Sequence, residues 1–371
     1  MSYSIECSKC GKQSQNLLDY KCTRCSQPLI VKQNRKFETR QIQKKDRSLW
    51  RYAKYFPYIK EKDIITLGEG CTPLIKYSGN IYFKLENLNP TGSFKDRGST
   101  TLISAIHRQI KKVKGYISED SSGNAGASIA AYAARAELQA EIFVPENVSG
   151  PKLNQIQFYG AQVIKVSGSR SKVAEKAQKT QKNGFYVGHI LHPLFRDGMR
   201  TLAYEIAEQL DWQVPERIYL PVSAGTLLLG VLSGFQHLLQ CNVIKTMPKI
   251  IACQTKQVSP LYHRIKNTNY TPPRKITSIA NALVSTNPPL LDLMEKHLKK
   301  ANGDAVILDE KETIQAFKKL ARKGFFVEPS SAVAYAGHKK QLATMEASQE
   351  DTTVIILTGT GLKSTIKPDM L

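Results

Sequence analysis

Lys95 has the most favourable setting for chemistry in the chain, in the run GSFKDRG of residues 92–98. Residues 84–91 end a strand-like run in turn residues, so Lys95 is predicted where the backbone changes direction, between a glycine turn and the start of a helix. An amine held at such a point can form a Schiff base with an aldehyde. A solvated surface charge is the alternative, because that is what most lysines are.

Three loops of small residues accompany Lys95 along the chain. They are SSGNAG at 121–126, LPVSAGT at 220–226 and TGTG at 358–361. Residues 222–226 follow a strand-like run and precede the apolar residues 227–229, so their backbone N–H groups and hydroxyls can converge on a phosphate at a helix N-terminus. An ordinary turn between a strand and a helix is the alternative.

Together with Lys95, these loops resemble the pyridoxal phosphate enzymes of fold type II, and the threonine synthase family in particular. The motifs LGEGCTPL, NPTGSFKDRG, SSGNAG, EPSSA and LTGTGLK carry the resemblance in this order, from about residue 67 to residue 363. A set of motifs in a fixed order is far rarer than any one motif. The resemblance implies that Lys95 holds pyridoxal 5′-phosphate as a Schiff base and moves protons at the α and β carbons of the substrate.

The resemblance also implies roles for two of the loops. Asn124 would face the phenolic oxygen of the cofactor, and groups of Ser121, Ser122 and Gly123 would bind the substrate carboxylate. Serine and asparagine also favour helix N-caps, and both roles can hold at once. The phosphate of the cofactor would lie against Val222, Ser223, Ala224, Gly225 and Thr226. Ala224 stands where the family commonly has glycine, which narrows the backbone conformations available.

Thr358 is predicted to close a strand at residues 353–358 and, by resemblance, to face the pyridine nitrogen of the cofactor. A neutral hydroxyl cannot hold that nitrogen protonated as a carboxylate would. The ring is then a weaker electron sink, which suits eliminations and replacements. A structural threonine at a strand end is the alternative. The motif EPSSA is predicted to begin a helix that has Ser330 or Ser331 as its cap.

Four of the seven cysteines form two closely spaced pairs, Cys7 with Cys10 and Cys22 with Cys25. Two such knuckles joined by a short loop place four thiolates around one ion, so a structural zinc ribbon is predicted, with no coordination position left for substrate. A redox pair or disulfides are the alternative, which the paired spacing and a cytoplasmic address disfavour.

The formal net charge is +22, and the stretch from Lys32 to Lys62 contains eleven basic and three acidic residues, a balance of 11 − 3 = +8. Such a stretch can attract nucleic acid, and a nucleic-acid-binding zinc ribbon is a hypothesis of a different class. The stretch contains no recognised binding motif, and an enzyme of phosphorylated substrates also gains from a positive field. We therefore expect no specific nucleic-acid partner.

Short β-rich runs alternate with helical patterns from residue 81 onward. Strands are predicted at 81–85, 115–118, 140–144, 162–166, 217–222, 249–253 and 353–358. One amphipathic helix is predicted from the spacing of Met199, Leu202, Ala203, Ile206 and Leu210. This alternation predicts an α/β fold with mainly parallel sheets.

Three regions are predicted: the zinc ribbon at residues 1–30, a basic and aromatic arm at 31–65 and a catalytic body at 66–371. The resemblance implies a fold like that of the tryptophan synthase β subunit, in which a smaller domain, here at about 100–210, is inserted in a larger one and the two flank the cofactor. It also implies a homodimer. No apolar run reaches the length of a membrane helix and no signal peptide is evident, so a cytoplasmic protein without a membrane partner is expected.

The resemblance implies conversion of the small phosphorylated amino acid O-phosphohomoserine, with water, to threonine and phosphate. A related β-replacement or β-elimination enzyme, similar to cysteate synthase or threonine dehydratase, is the alternative. The substrate phosphate is the least well predicted feature, because the family's Asn-Ser segment and nearby arginine match residues 188–196 only loosely. Arg196, His189 and His192 lie in this segment; surface arginines and core histidines are their alternative interpretation.

Overall fold

The computed structural model describes residues 2–366. Its strands in chain order are β1 (Tyr3–Cys7), β2 (Gln13–Ser14), β3 (Leu29–Gln33), β4 (Leu74–Ser78), β5 (Ile81–Lys84), β6 (Tyr116–Glu119), β7 (Gln139–Pro145), β8 (Gln162–Val166), β9 (Gly184–Tyr186), β10 (Arg217–Pro221), β11 (Lys249–Thr255), β12 (Asp304–Leu308) and β13 (Thr353–Ile356). Its α-helices are α1 (Lys95–Lys112), α2 (Asn124–Arg135), α3 (Pro151–Phe158), α4 (Arg170–Gln178), α5 (Pro193–Met199), α6 (Thr201–Gln209), α7 (Thr226–Gln240), α8 (Pro260–Lys266), α9 (Leu291–Lys300), α10 (Glu310–Arg322) and α11 (Pro329–Ala343).

The chain divides into two compact units. The first unit contains the described residues up to Cys71 together with Asn89–Met199. The second contains Thr72–Leu88 and the described residues from Arg200 onward. Among residues 2–366, no helix combines the length and the apolar character needed to cross a membrane.

The first unit is built on a four-stranded sheet of order β8-β7-β6-β9, in which every pair is parallel. Apolar residues such as Ile117, Ile142 and Val144 on these strands are almost fully buried, as expected for a parallel sheet covered on both faces. The carboxyl ends of parallel strands lie at one edge of a sheet, which is where open α/β sheets bind ligands. In this unit that edge carries the segments that follow β6 and β9.

Helices α1 and α5 of the first unit pack closely because glycine occurs on both. A Cβ atom on Gly98 would lie 2.6 Å from the ring of Phe195, and one on Gly198 would lie 2.1 Å from the carbonyl oxygen of Arg97. Neither position has room for a larger residue. This contact fixes Phe195, on α5, against the first turns of α1.

The segment predicted as an arm, residues 31–65, is anchored by a buried carboxylate, Glu69, of the LGEGCTPL motif. Glu69 is 0% exposed. Its oxygens accept hydrogen bonds from Trp50 Nε1 at 2.9 Å, Thr66 Oγ1 at 3.0 Å, Leu67 N at 2.8 Å and Tyr132 Oη at 2.6 Å. Since a buried carboxylate needs several donors, Glu69 ties the arm to α2 and has a structural role that the sequence did not reveal.

The second unit is built on a six-stranded sheet of order β12-β11-β10-β13-β5-β4. Its pairs are parallel except that of β4 with β5. A buried ion pair joins Lys84 Nζ to Glu205 Oε2 at 2.8 Å, and Lys84 also donates to the carbonyl of Thr72 at 2.7 Å. Because the Lys84 ammonium has a carboxylate and a carbonyl as partners, β5 can hold this charged residue in the core.

The predicted α/β architecture with mainly parallel sheets is confirmed. Each predicted strand overlaps an observed one, although the strand at 353–358 ends at Ile356, so Thr358 lies in the loop beyond it. The predicted helix of residues 199–210 begins at Thr201, while Met199 ends α5. Strands β1 to β4, β9 and β12 were not predicted.

Candidate active site

Lys95 is the first residue of α1, as its position after the glycine turn predicted. The turn before it contains Gly92, whose φ of 80° lies in the left-handed region that glycine adopts without strain. Gly92 donates its N–H to the carbonyl of Asn89 at 2.7 Å. This turn fixes the direction in which α1 begins, and thereby the position of Lys95.

Asp96 locks the same turn from inside the protein. It is 0% exposed, and its carboxylate accepts hydrogen bonds from the main-chain N–H of Thr91 at 2.7 Å, the hydroxyl of Thr91 at 2.5 Å and the hydroxyl of Ser128 at 2.6 Å. Ser128 belongs to α2, and its hydroxyl also bonds to Ser99 at 2.6 Å. The lysine is therefore held by a hydrogen-bonded network that joins two helices.

The amine of Lys95 is flanked by aromatic rings. Its Nζ lies 4.8 Å from the centre of the Phe94 ring and 5.8 Å from that of Phe195. The side chain is partly exposed, but the surrounding protein desolvates the amine and lowers its pKa to about 8, an effect that the charge of Glu119 opposes. Lys95 is therefore available as a neutral amine closer to physiological pH than an ordinary lysine, as a nucleophile for an aldehyde must be.

The loop of Ser121, Ser122, Gly123 and Asn124 follows β6 and leads into α2. All four residues are partly exposed. Gly123 occupies the N-cap position of α2, Asn124 is the first helical residue, and the hydroxyl of Ser121 accepts the N–H of Gly123 at 3.2 Å. Neither Asn124 nor either serine is the N-cap, so the helix-cap interpretation of these side chains is wrong.

In the second unit, the loop at 222–226 follows β10 and leads into α7. Gly225 is the N-cap of α7 with φ at 93°, and a Cβ atom there would lie 2.3 Å from Met294 Sδ. The first N–H groups of a helix have no partner within it and attract anions. Glycine at this position therefore permits the tight turn that brings those N–H groups to a phosphate.

Val222 differs from the other residues of this loop, because its main-chain groups are used by the sheet. Its N–H donates to the carbonyl of Cys253 at 2.9 Å, and its carbonyl accepts from Gln254 Nε2 at 3.3 Å. The candidate hydrogen-bond donors to a phosphate are therefore the other four residues, Ser223, Ala224, Gly225 and Thr226. Ser223 also accepts the N–H of Ser285 through its hydroxyl at 3.3 Å.

Thr358 lies in the second unit, 5% exposed, with its hydroxyl 2.8 Å from that of Ser331. Ser331 also accepts the N–H of Gly359 at 2.9 Å, so the EPSSA motif fixes the loop that carries Thr358. The predicted cap of this helix is wrong: Glu328 holds the N-cap position, and both Ser330 and Ser331 lie inside the first turn of α11. The Ser331 hydroxyl supports the loop of Thr358 instead, and the Ser330 hydroxyl accepts the N–H of Ala282 at 3.1 Å.

The sequence-predicted residues fall into two groups by unit. Lys95 and the loop of residues 121–124 belong to the first unit. The loop of residues 222–226 and Thr358 belong to the second. Within each unit the groups follow strand ends of a parallel sheet or begin helices, which are the usual ligand-binding positions of α/β folds.

Arg196 does not present its guanidinium as a phosphate ligand. It is 5% exposed, and its Nη1 donates to the carbonyls of Ile190 at 2.7 Å and Leu191 at 2.8 Å, while Nη2 donates to that of Leu29. His192 is fully buried, and burial, together with the charge of Arg196, lowers its pKa to about 3. The core-histidine alternative is therefore correct for His192, whereas Arg196 is buried and is not the surface arginine of that alternative.

Glu119, at the end of β6, is the residue near Lys95 that the sequence analysis missed. It is 0% exposed, and His189 Nδ1 lies 2.6 Å from its Oε1. Burial raises the pKa of Glu119 to about 7, against the opposing effects of the His189 N–H and of the Arg170 and Lys95 charges. Its only sequence signal is a carboxylate at the end of an apolar strand immediately before SSGNAG.

The four cysteines of the ribbon converge in the first unit. The sulfur atoms of Cys7, Cys10, Cys22 and Cys25 lie within 4.8 Å of one another, with 3.4 Å from Cys7 to Cys25 and 3.7 Å from Cys10 to Cys22. Tetrahedral zinc with bonds of about 2.3 Å separates its sulfur ligands by about 3.8 Å. Each pair is followed by a residue with positive φ, Gly11 or Ser26, which closes the turn. The donor set and its spacing fit one zinc ion.

Each unit offers groups that fit a part of pyridoxal phosphate: in the first, the desolvated amine of Lys95 matches an aldehyde, and in the second, the glycine-capped start of α7 matches a phosphate. A family model described as pyridoxal-phosphate dependent enzyme matches residues 65–359. The chain belongs to this family.

Within it, curated relatives are threonine synthases. That of Methanocaldococcus jannaschii is 33% identical over 88% of this chain and 84% of its own length. That of Methanosarcina acetivorans is 29% identical over 97% of this chain and 92% of its own length.

Solved structures support the fold. Tomato threonine deaminase isoform 2 has a TM-score of 0.69 at 19% identity and covers 86% of this chain and 85% of its own. Maize serine racemase has a TM-score of 0.66 at 22% identity, covering 80% and 89% respectively. These likenesses define the fold, which is that of the fold type II enzymes.

Proposed function

We propose that this protein is a threonine synthase, which converts O-phosphohomoserine and water to threonine and phosphate. The observation that carries the proposal is the similarity to curated threonine synthases over most of both chains, with 33% identity to the Methanocaldococcus jannaschii enzyme. The desolvated Lys95 at the start of α1 supports it, because this chemistry needs a reactive amine.

Pyridoxal phosphate, when bound, supplies an electron-withdrawing ring that stabilises negative charge on the carbon next to the substrate amine. Lys95 would hold the aldehyde carbon and, once the substrate amine replaces it, would take and return protons at the α and β carbons. Its partial desolvation keeps it competent as a base near neutral pH.

The other predicted residues would bind and orient. Asn124 would face the phenolic oxygen, and Ser121, Ser122 and Gly123 would bind the substrate carboxylate. Ser223, Ala224, Gly225 and Thr226 would bind the cofactor phosphate at the start of α7, while Thr358, held by Ser331, would face the ring nitrogen. The neutral hydroxyl of Thr358 favours elimination over reactions that need a protonated ring.

The metal, the oligomeric state, the localisation and the domain organisation are also part of the proposal. One structural zinc ion would occupy the four-cysteine site, and the enzyme would be a cytoplasmic homodimer made of a zinc ribbon, an arm and a catalytic body with an inserted smaller domain. Specific nucleic-acid binding is not part of this proposal.

A panel of three substrates tests the function. Phosphate should be released with formation of threonine from O-phosphohomoserine, and not from O-phosphoserine with sulfite. Threonine alone, assayed for oxo acid, detects the dehydratase alternative. One observation favours that alternative: Arg196 Nη1 donates to main-chain carbonyls, so this segment offers no arginine to a substrate phosphate. Oxo acid without phosphate release would replace the proposal by that alternative.

A further inference from the structure

A buried carboxyl group, Glu119, lies at the sheet edge that carries the candidate active-site loops of the first unit. It is the last residue of β6, two residues before the SSGNAG loop, and its side chain is 0% exposed. A buried carboxylate is costly unless several donors or a cation compensate it. Its retention at the ligand-binding edge of the sheet calls for a chemical reason.

Both oxygens of Glu119 are engaged by one residue, His189, from the segment that follows the neighbouring strand β9. The main-chain N–H of His189 donates to Oε2 at 2.9 Å, and the ring nitrogen Nδ1 lies 2.6 Å from Oε1. Burial, together with the charge of Lys95, lowers the pKa of His189 well below its usual value, so the ring is neutral and donates through Nδ1–H. The carboxylate thus has a fixed orientation but no cation in this contact.

Asp120, the next residue, has a different environment. Its Oδ1 accepts the hydroxyl of Tyr186 at 2.6 Å, and its Oδ2 lies 2.9 Å from Arg170 Nη2. Arg170 thus contacts Asp120 directly, and its charge also acts on Glu119. The two adjacent carboxyl groups differ in their direct contacts: Asp120 has a guanidinium, and Glu119 has a neutral histidine.

The histidine connects Glu119 to the surroundings of Lys95. The His189 ring packs edge-on against Phe195 with ring centres 5.8 Å apart, and the centre of the Phe195 ring lies 5.8 Å from Lys95 Nζ. Burial raises the pKa of Glu119 to about 7 and lowers that of Lys95 to about 8, and each charge favours ionisation of the other. The two groups therefore hold a proton with similar affinity.

We propose that Glu119, oriented by His189, is a positioning residue that sets the protonation state of Lys95. When Lys95 gives up a proton to become a base, an N–H bond of its ammonium breaks, and one proton taken up as an O–H bond on Glu119 keeps the net charge of the cluster unchanged. The reverse exchange restores the ammonium and the carboxylate. This inference rests on the proposed role of Lys95 as the reactive amine.

The test measures the acidity of Lys95 in the cofactor-free protein by pulsed acetic anhydride labelling across pH, with mass spectrometry of the peptide that contains Lys95. In Glu119→Gln the ammonium loses a nearby negative charge, so the labelling midpoint should fall by about one pH unit. Glu119→Asp keeps the charge and should remain near the wild type. Glu141→Gln, on the adjacent strand β7, is the matched control and should leave the midpoint unchanged.

An unchanged midpoint in folded Glu119→Gln, or an equal shift in Glu141→Gln, would overturn the proposal. If Glu119→Gln does not fold, His189→Leu serves instead: it removes the Nδ1–H donor to the ionised carboxylate, so the Lys95 midpoint should fall by a smaller amount, and no fall would overturn the proposal. The labelling uses neither substrate nor cofactor. A failure of the proposal for Glu119 is therefore distinguishable from a failure of the proposed function, because the substrate panel tests the function separately.

Discussion

At the scale of single residues, the reactivity of Lys95 comes from its surroundings more than from its residue type. The dense protein around the amine disfavours the ammonium form, and this desolvation outweighs the attraction of the cation to the faces of the Phe94 and Phe195 rings. The buried charge of Lys84, in contrast, is compensated by the carboxylate of Glu205 and by a main-chain carbonyl. Lys84 therefore has a structural role, whereas the lowered pKa of Lys95 at the start of α1 makes its amine a candidate for reactivity.

This difference predicts the pH dependence of cofactor capture. Burial lowers the pKa of Lys95 to about 8, so the amine is mostly protonated below that pH and mostly neutral above it. The rate at which cofactor-free protein captures pyridoxal phosphate covalently, followed by its absorbance, should rise with pH and be half-maximal near pH 8. Lys95→Ala should capture none and should have no turnover. A half-maximal rate near the usual lysine value, or capture by Lys95→Ala, would contradict this assignment.

Asp96 should be a major contributor to stability. Asp96→Ala removes the acceptor of one main-chain N–H and of two hydroxyls, all buried, and should lower the free energy of unfolding by about 3 kcal/mol. Urea denaturation measures the change. Asp292→Ala, at an exposed aspartate on α9, should change stability by less than about 0.5 kcal/mol. Equal effects would show that the network does not hold the turn.

At this scale the sequence indicated Lys95, because its motif is local. It did not indicate Asp96 or Glu119 as important, because their roles depend on burial and on partners that are distant in sequence: Ser128 is 32 residues from Asp96, and His189 is 70 residues from Glu119. A carboxylate in a sequence is usually at the surface, so only the folded structure distinguishes these two.

At the scale of elements, the candidate binding groups lie at helix N-termini and strand ends, and the sheets fix where these lie within each unit. The long apolar strands were predictable from their composition, whereas the three-residue β9 gives too short a pattern. The cap of α11 was predicted wrongly although the signal was present. Pro329 is the first helical residue, a position that proline favours, which makes Glu328 the cap.

Gly225 gives a prediction at this scale. Gly225→Ala would place a Cβ atom 2.3 Å from Met294 Sδ on a backbone with φ at 93°, so it should distort the start of α7 and weaken cofactor binding at least tenfold. Fluorescence titration with pyridoxal phosphate measures the affinity. Gly324→Ala, with φ at 88° and no atom within 4 Å, isolates the backbone strain and should leave the affinity unchanged. Equal losses of affinity would remove the loop from the site.

At the scale of the whole molecule, the segment of the four cysteines is joined to the rest of the first unit by residues far away in sequence. Arg196 on α5 bonds to the carbonyl of Leu29 on β3, and Tyr20 packs edge-on against Tyr186 with ring centres 4.9 Å apart. The cluster of four cysteines was predictable because Cys7 and Cys25 bound a stretch of only 19 residues. The contact with Arg196 was not, because it spans 167 residues.

Loss of the metal should therefore destabilise the first unit beyond the predicted ribbon of residues 1–30. The purified protein should contain one zinc ion per chain, and Cys22→Ser should lower this content, lower the thermal midpoint and make the first 33 residues sensitive to protease. Cys241→Ser, outside the cluster, is the control and should keep the zinc. Zinc-free wild-type protein with an unchanged thermal midpoint would contradict a structural metal.

The central claim is that the chain eliminates phosphate from O-phosphohomoserine and adds water to the carbon skeleton. The most direct test is the reaction in water enriched in oxygen-18, with mass spectrometry of both products. The proposed function predicts one labelled oxygen in threonine and none in phosphate, and no product from Lys95→Ala. Label in the phosphate, which marks simple hydrolysis of the ester, or the absence of threonine would contradict it.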